Sequence, residues 1–468
     1  MIFNPQNKLK KDGFFAVPEN AIATAHPCLD KNVIKEFWNN FTFGTSRLEI
    51  SKCEEFVFRI GETDGLPPED FDYTINVDNF GICIRAASEK ELVRGFMTLL
   101  DMIEATDADN RLDTVIPCVE ICDRALVKKR MVHFCIFPET ELWELQRFIR
   151  MCGALKFTHI VLEFWGMLKY DCMKELSWAH AYSKDDIRPT IREARELGLE
   201  IIPMFNQWGH ATASRVLHGK HVVLDQNPAL QTYFSEDGWC WDISKPKVRE
   251  LLRKIRKELI ELCGEGEYFH IGCDEAYNFE FSKENMDFIC DFINEVSSEM
   301  KTSGRRVIAW GDMFLFKHPD YSPNNVYCCN APTPEAERYM LDHLDKSVIV
   351  ADWQYDATYA PVETASVFAR EDFDCLLCPW DRGRKEMKAV MTTVKEMSLL
   401  GFLHTTWHTL SRGMPYVLIA ALSGYEEIGI RGTSALSTKT AALIRKVMPS
   451  GGDYSKSGWS KIQIHTLW

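Results

Sequence analysis

Tyr268-Phe269-His270-Ile271-Gly272-Cys273-Asp274-Glu275 is a short apolar run that stops at two adjacent carboxylates. Side chains alternate along a strand, so neighbouring Asp and Glu diverge unless the backbone is already turning. At a strand's C-terminal end both can reach one pocket from different sides. One acid then meets a leaving group while the other orients something beside it, an arrangement suited to acid-assisted bond cleavage. The plainer reading makes Asp274 a cap of the next helix and Glu275 a solvated first-turn acid. His270 and Gly272, set on the strand itself, are unusual company for a cap.

Outward from this run the chain alternates between strand and helix patterns. Strands are predicted at residues 131–137, 159–164, 200–205, 268–272, 306–310, 347–353, 374–380 and 401–407. Helices are predicted at 139–153, 184–197, 246–263, 284–301 and 384–399. Eight such units predict an α/β fold, a (β/α)8 TIM barrel over residues 125–450, with insertions at 213–238 and 317–344. Residues 1–124 read as a small α+β domain with helices at 32–40 and 88–105 and strands at 54–60, 73–78 and 81–86. Asp78-Asn79-Phe80-Gly81 supplies its hairpin turn, and the unit ends in a loop at 108–113. Residues 451–468 form a C-terminal tail.

Barrel chemistry sits where the strands end. Trp310, Trp353, Trp380 and Trp407 each close one of the last four predicted strands. Any one of them could be core; together at one rim they point to an aromatic-walled pocket. Indole offers a broad apolar face with a polar edge, which suits the C–H faces and hydroxyls of a sugar.

Composition narrows the ligand class. The chain has 468 residues with 26% charged, 46% apolar and a net charge of -14. That balance disfavours nucleic acid and anionic membrane surfaces as partners and favours a small neutral ligand. No N-terminal run has the apolar length of a signal peptide, so a cytoplasmic location is expected. Sixteen cysteines fall mostly within apolar segments, as buried free thiols do in a reducing compartment. Cys375-Leu376-Leu377-Cys378 is a lone pair without a second metal-binding pair. His210, His270, Asp274, His404 and His408 lack metal-motif spacing. No metal and no cofactor is expected.

The residues resemble glycoside hydrolase family 20, the β-N-acetylhexosaminidases, and within it the hexosaminidase D-like branch. His270 to Glu275 match the family's His-x-Gly-Gly/Cys-Asp-Glu motif. Pro203-Met204-Phe205-Asn206-Gln207-Trp208-Gly209-His210 resembles its third-strand signature, and Leu155-Lys156-Phe157-Thr158-His159 its approach to the second strand. Ile308-Ala309-Trp310-Gly311-Asp312 and Thr405-Thr406-Trp407 resemble the ends of its fifth and eighth strands.

The resemblance implies an exo-acting hydrolase of terminal β-linked GlcNAc or GalNAc, whose substrate supplies its own nucleophile through the 2-acetamido oxygen; family 20 is among the exceptions to two-carboxylate catalysis. Glu275 is then the general acid and base, and Asp274 orients the acetamido N–H. Arg130, ahead of the first strand, would donate to the C3 and C4 hydroxyls. His210 and His270 would balance charge, although His270 equally reads as a satisfied core histidine. Trp310, Trp353, Trp380 and Trp407 would enclose the sugar, and Glu163 stands for the acidic residues after the second strand. The tyrosine expected after the seventh strand is missing from Cys378-Pro379-Trp380-Asp381-Arg382, and Tyr355 is its substitute in a Trp-x-Tyr pattern. Thr409 stands where a carboxylate is common. A barrel hydrolase of another sugar and a non-catalytic sugar-binding relative remain open alternatives. A homodimer is allowed for.

Overall fold

The computed structural model describes residues 2–108, 111–212, 222–407, 410–427 and 434–448. The expected tail, His408, Thr409 and residues 213–221 of the first expected insertion lie outside the described residues.

The first 123 residues build one twisted sheet. Strand order across it is Asn7–Ala16, Arg111–Asp123, Tyr73–Val77, Gly81–Ala86, Val57–Gly61, Asn20–Ala25 and Arg47–Lys52, with Glu104–Ala108 pairing to Arg111–Asp123. Asn20–Ala25 alternates strictly between exposed and buried positions, so one face is covered. Two helices cover it. Asn32–Phe41 presents Val33, Ile34, Phe37, Trp38 and Phe41, and Glu89–Asp101 starts at Ser88, whose side chain accepts the Glu91 N–H. Asp78 Oδ1 accepts the Phe80 and Gly81 N–H groups, closing the predicted hairpin. Five strands of this sheet were not expected. The longest, Arg111–Asp123, carries Asp113, Pro117, Glu120 and Asp123, which interrupt its apolar pattern.

The barrel strands are β1 (Lys129–Cys135), β2 (His159–Glu163), β3 (Glu200–Met204), β4 (Tyr268–His270), β5 (Arg306–Trp310), β6 (Ile349–Asp352), β7 (Cys375–Leu377) and β8 (Gly401–His404). All eight pair in parallel, and β8 pairs back to β1 to close the barrel. Parallel strands are buried on both faces and read as unbroken apolar runs. The interior is filled by Met131, Val161, Ile202, Tyr268, Ile308, Ile349, Leu376 and Leu403, one from each strand. Several strands end sooner than expected. β4 stops at His270 because Gly272 and Cys273 take positive φ, 68° and 75°. The expected insertion at 317–344 contains Pro334–His343, the helix that returns the chain from β5 to β6.

Candidate active site

The turn that ends β4 is wound unusually tightly. Gly272, Cys273 and Glu275 all have positive φ, a conformation that costs a non-glycine residue roughly 1–3 kcal/mol and persists only when its surroundings hold it. A side chain at Gly272 would meet Asn206 Oδ1 at 1.6 Å, and one at Gly209 would meet the Asp274 carbonyl at 2.0 Å. The loop after β3 therefore lies directly against the loop after β4, which is why glycine stands at both places. The next helix begins only at Lys283, capped by Ser282. Asp274 and Glu275 cap nothing.

Both carboxylates reach one imidazole. His210 Nε2 lies 3.0 Å from Glu275 Oε2 and 3.3 Å from Asp274 Oδ2. Asp274 is 6% exposed, whereas Glu275 is half-buried at the pocket. The Trp239 indole donates to the Glu275 carbonyl at 2.6 Å and packs 4.4 Å from the His210 ring. The Glu275 N–H donates to Asp312 Oδ2 at 2.9 Å.

Around these groups lies a cavity of about 560 Å³, lined by Phe137, Trp165, His210, Trp239, Asp274, Glu275, Tyr277, Trp353, Tyr355, Trp380 and Trp407. That size holds a small molecule. Tyr355 sits 5.2 Å from Trp353 and 5.1 Å from Trp380, ring centre to ring centre. Its hydroxyl accepts the Trp407 indole N–H at 2.7 Å, so the hydroxyl hydrogen is left to point elsewhere. Burial raises the Tyr355 hydroxyl well above its ordinary range, so it stays a donor.

The structure thus brings together Asp274, Glu275, His210, Trp353, Tyr355, Trp380 and Trp407. Four expected site residues are not in the pocket. Arg130 is the second residue of β1, so its side chain serves the opposite end of the barrel. There it donates to the Val127 and Lys156 carbonyls and to the Tyr425 hydroxyl. Trp310 is fully buried and belongs to the barrel interior beneath the pocket, 6.0 Å from Trp407. Glu163 points inward from β2, where His133 Nε2 lies 3.1 Å away and the Cys135 thiol donates at 3.4 Å. His270 is also interior: its Nδ1 accepts the Gly272 N–H, and its ring lies 4.3 Å from Trp310. It is the core histidine of the plainer reading.

Phe137, Trp165, Trp239, Tyr277 and Asp312 were missed. Tyr277 follows Glu275 by two positions, and Asp312 closes the Trp310-Gly311-Asp312 run, so each was within sight of a quoted motif. Trp239 was out of reach, because it follows an insertion whose path no spacing rule predicts.

A family model for the glycosyl hydrolase family 20 catalytic domain matches residues 162–382. Among curated proteins, lacto-N-biosidase from Bifidobacterium bifidum is 20% identical over 264 residues, covering 52% of this chain and 22% of its own length. Beta-hexosaminidase subunit A1 from Dictyostelium discoideum is 22% identical over 268 residues, covering 52% and 49%. The chain thus spans less than half the length of these curated relatives. The solved β-N-acetylhexosaminidase of Streptomyces coelicolor superposes with a TM-score of 0.66 at 15% identity, covering 95% of both chains. The exo β-N-acetylglucosaminidase of Vibrio harveyi, solved with N-acetylglucosamine, gives 0.65 at 15% identity, covering 95% of this chain and 76% of its own. At such identities the superpositions speak for the fold. Residues 162–382, a little under half of the chain, are thus similar to the glycosyl hydrolase family 20 catalytic domain, and the Asp-Glu pair at the end of β4 lies inside the matched region.

Proposed function

We propose that this chain is an exo-acting β-N-acetylhexosaminidase, removing terminal β-linked GlcNAc or GalNAc with retention through the substrate's own 2-acetamido group. One observation carries the reading: Asp274 and Glu275 enter one aromatic-walled cavity and share His210, and no third carboxylate lines that cavity among the described residues.

In this reading the acetamido oxygen attacks the anomeric carbon as its bond to the leaving oxygen breaks, and Glu275 gives its proton to that oxygen. Asp274 accepts the acetamido N–H and stabilises the positive charge of the cyclic intermediate. The Tyr355 hydroxyl donates to the acetamido oxygen. Water then adds to the anomeric carbon, losing its proton to Glu275, and the ring of the intermediate opens. Arg130 takes no part, so recognition of the C3 and C4 hydroxyls falls to other groups. All sixteen cysteines are free thiols, which supports a reducing compartment and hence a cytoplasmic location. Among the described residues no helix is long and apolar enough to cross a membrane.

The test compares nitrophenyl N-acetyl-β-glucosaminide with nitrophenyl β-glucoside, each with and without chelator. The acetamido substrate should turn over far faster, a thiazoline analogue should inhibit, and chelator should change nothing. Equal rates on the two sugars, or a trapped covalent glycosyl-enzyme, would contradict the reading.

A further inference from the structure

Asp312 sits just past the end of β5, 1% exposed, and belongs to neither wall nor floor of the cavity. Three N–H donors from three separate segments converge on its two carboxylate oxygens. The Glu275 backbone N–H reaches Oδ2 at 2.9 Å, and Asn330 Nδ2 reaches the same atom at 2.7 Å. The Trp353 indole reaches Oδ1 at 2.9 Å. The Asn330 N–H also donates to the Asp312 carbonyl at 2.8 Å. One carboxylate therefore ties the general acid, in its strained backbone conformation, to an indole of the sugar-binding wall.

We infer that Asp312 is a positioning residue that works as an ionised clamp, holding the Glu275 backbone in place and aiming the Trp353 ring at the sugar. A carboxylate accepts on both oxygens, whereas a carboxylic acid must donate from one. Each Asp312 oxygen faces a donor, so a proton on either one displaces the Glu275 N–H, the Asn330 amide or the Trp353 indole. Losing one partner of a buried hydrogen bond strands the other, and misplacing a reacting group by about 1 Å costs on the order of 10²-fold in rate.

The clamp is also placed to respond to pH. Burial, and then the charge of Asp274, raise the Asp312 carboxyl to about 7. The other titratable groups facing it are Glu275, Tyr277 and Cys273 from the loop after β4, and Cys328 and Cys329 from the loop after β5. Above about 7 the clamp is ionised and closed. Below it, the clamp takes up a proton and lets go.

This inference rests on the proposed hydrolase reading only for its kinetic arm; a substrate-free arm stands apart from it. In the substrate-free arm, the fluorescence of the wild-type protein minus that of Trp353→Phe isolates Trp353. This difference should titrate near pH 7 and should be flat in Asp312→Asn. A Trp353 signal that does not titrate across that range, or that titrates unchanged in Asp312→Asn, would overturn the clamp. The wild-type titration decides the matter even if Asp312→Asn does not fold.

In the kinetic arm, Asp312→Asn should lower kcat/KM on the nitrophenyl acetamido sugar by about 10²-fold, mostly in kcat, because it breaks the acid's support. It should also abolish the loss of activity on the acid side of pH 7. Trp353→Phe keeps a ring but loses the indole donor, so it should cost less. In a double-mutant cycle the two changes should be strongly non-additive. Additive effects, or an Asp312→Asn enzyme with kcat/KM and pH profile unchanged, would overturn the inference.

Discussion

Where the barrel strands begin, Arg130 donates to the Val127 and Lys156 carbonyls and to the Tyr425 hydroxyl, and Lys156 Nζ donates to the Tyr73 hydroxyl beside Asp123. Where the strands end, Asp274, Glu275 and Asp312 crowd together, two of them around one imidazole. Both ends bury charge. At the first, each cation has acceptors around it, and burial, with the neighbouring Arg130 charge adding to it, draws Lys156 down to about 8. At the second, like charges face one another, and Glu275 among them sits on backbone in positive φ. Buried charge with its partners supports a fold, whereas crowded like charge raises proton affinity and is a mark of a reacting site.

The largest expected effect tests whether the two ends differ in kind. Asp274→Asn should cut kcat/KM on a 2-acetamido glycoside by about 10²–10³-fold, yet the melting temperature should hold or rise as like-charge repulsion is relieved. A variant that melts early and keeps its kcat/KM would erase the contrast.

Arg130→Leu should behave in the opposite way. Its guanidinium makes several buried hydrogen bonds, and charge-assisted bonds are worth about 1.5–3 kcal/mol each, so a loss of about 3 kcal/mol or more is expected in denaturant unfolding. The folded fraction should keep its kcat/KM. If instead turnover falls while stability is unchanged, Arg130 contacts sugar after all.

The two kinds of tryptophan provide a finer test. Trp310→Ala empties the barrel interior and should cost about 3–5 kcal/mol. Trp380→Ala and Trp407→Ala open a pocket wall, so they should weaken sugar binding, read as lost fluorescence quenching by N-acetylglucosamine, at a smaller cost in stability. Identical behaviour of all three would remove the distinction between floor and wall.

The last contrast concerns the support of Trp380. Glu386 accepts the Trp380 and Arg382 N–H groups, and burial raises its carboxyl to about 8. The folded protein then binds a proton that the unfolded chain has released above about 4.3. The stability from this protonated form is full below about 4.3 and is lost as pH rises through 8. Glu386→Gln should flatten that part of the curve of melting temperature against pH; an unchanged curve would assign the slope to other groups.

How much of this was legible in the sequence depended on pattern length. β5 and the helix Pro246–Cys263 were read to the residue, because unbroken apolar runs and a proline at the helix start leave little freedom. Arg111–Asp123 was missed because Asp113, Pro117, Glu120 and Asp123 interrupt its apolar alternation. Asp274 and Glu275 were legible as a motif, but their shared imidazole depends on how two loops touch. Trp310 and Trp353 look alike in sequence; only the last turn of each strand decides which faces the interior and which faces the cavity. Asp312 was quoted and passed over, since a buried acceptor for three N–H groups leaves no local signature.

The most direct measurement separates the two acids by leaving group. Glu275→Gln and Asp274→Asn are each assayed for kcat/KM on a nitrophenyl acetamido sugar and on a β-linked disaccharide of the same sugar. In the proposed mechanism Glu275 protonates the departing oxygen, so Glu275→Gln should lose up to about 10²–10⁴-fold on the disaccharide and recover much of it on the activated nitrophenyl substrate. In the same mechanism Asp274 serves the attacking acetamido arm, so Asp274→Asn should lose similar factors on both. If Asp274→Asn is the variant rescued by the good leaving group and Glu275→Gln is crippled equally on the two substrates, the assignment of the two carboxylates is wrong.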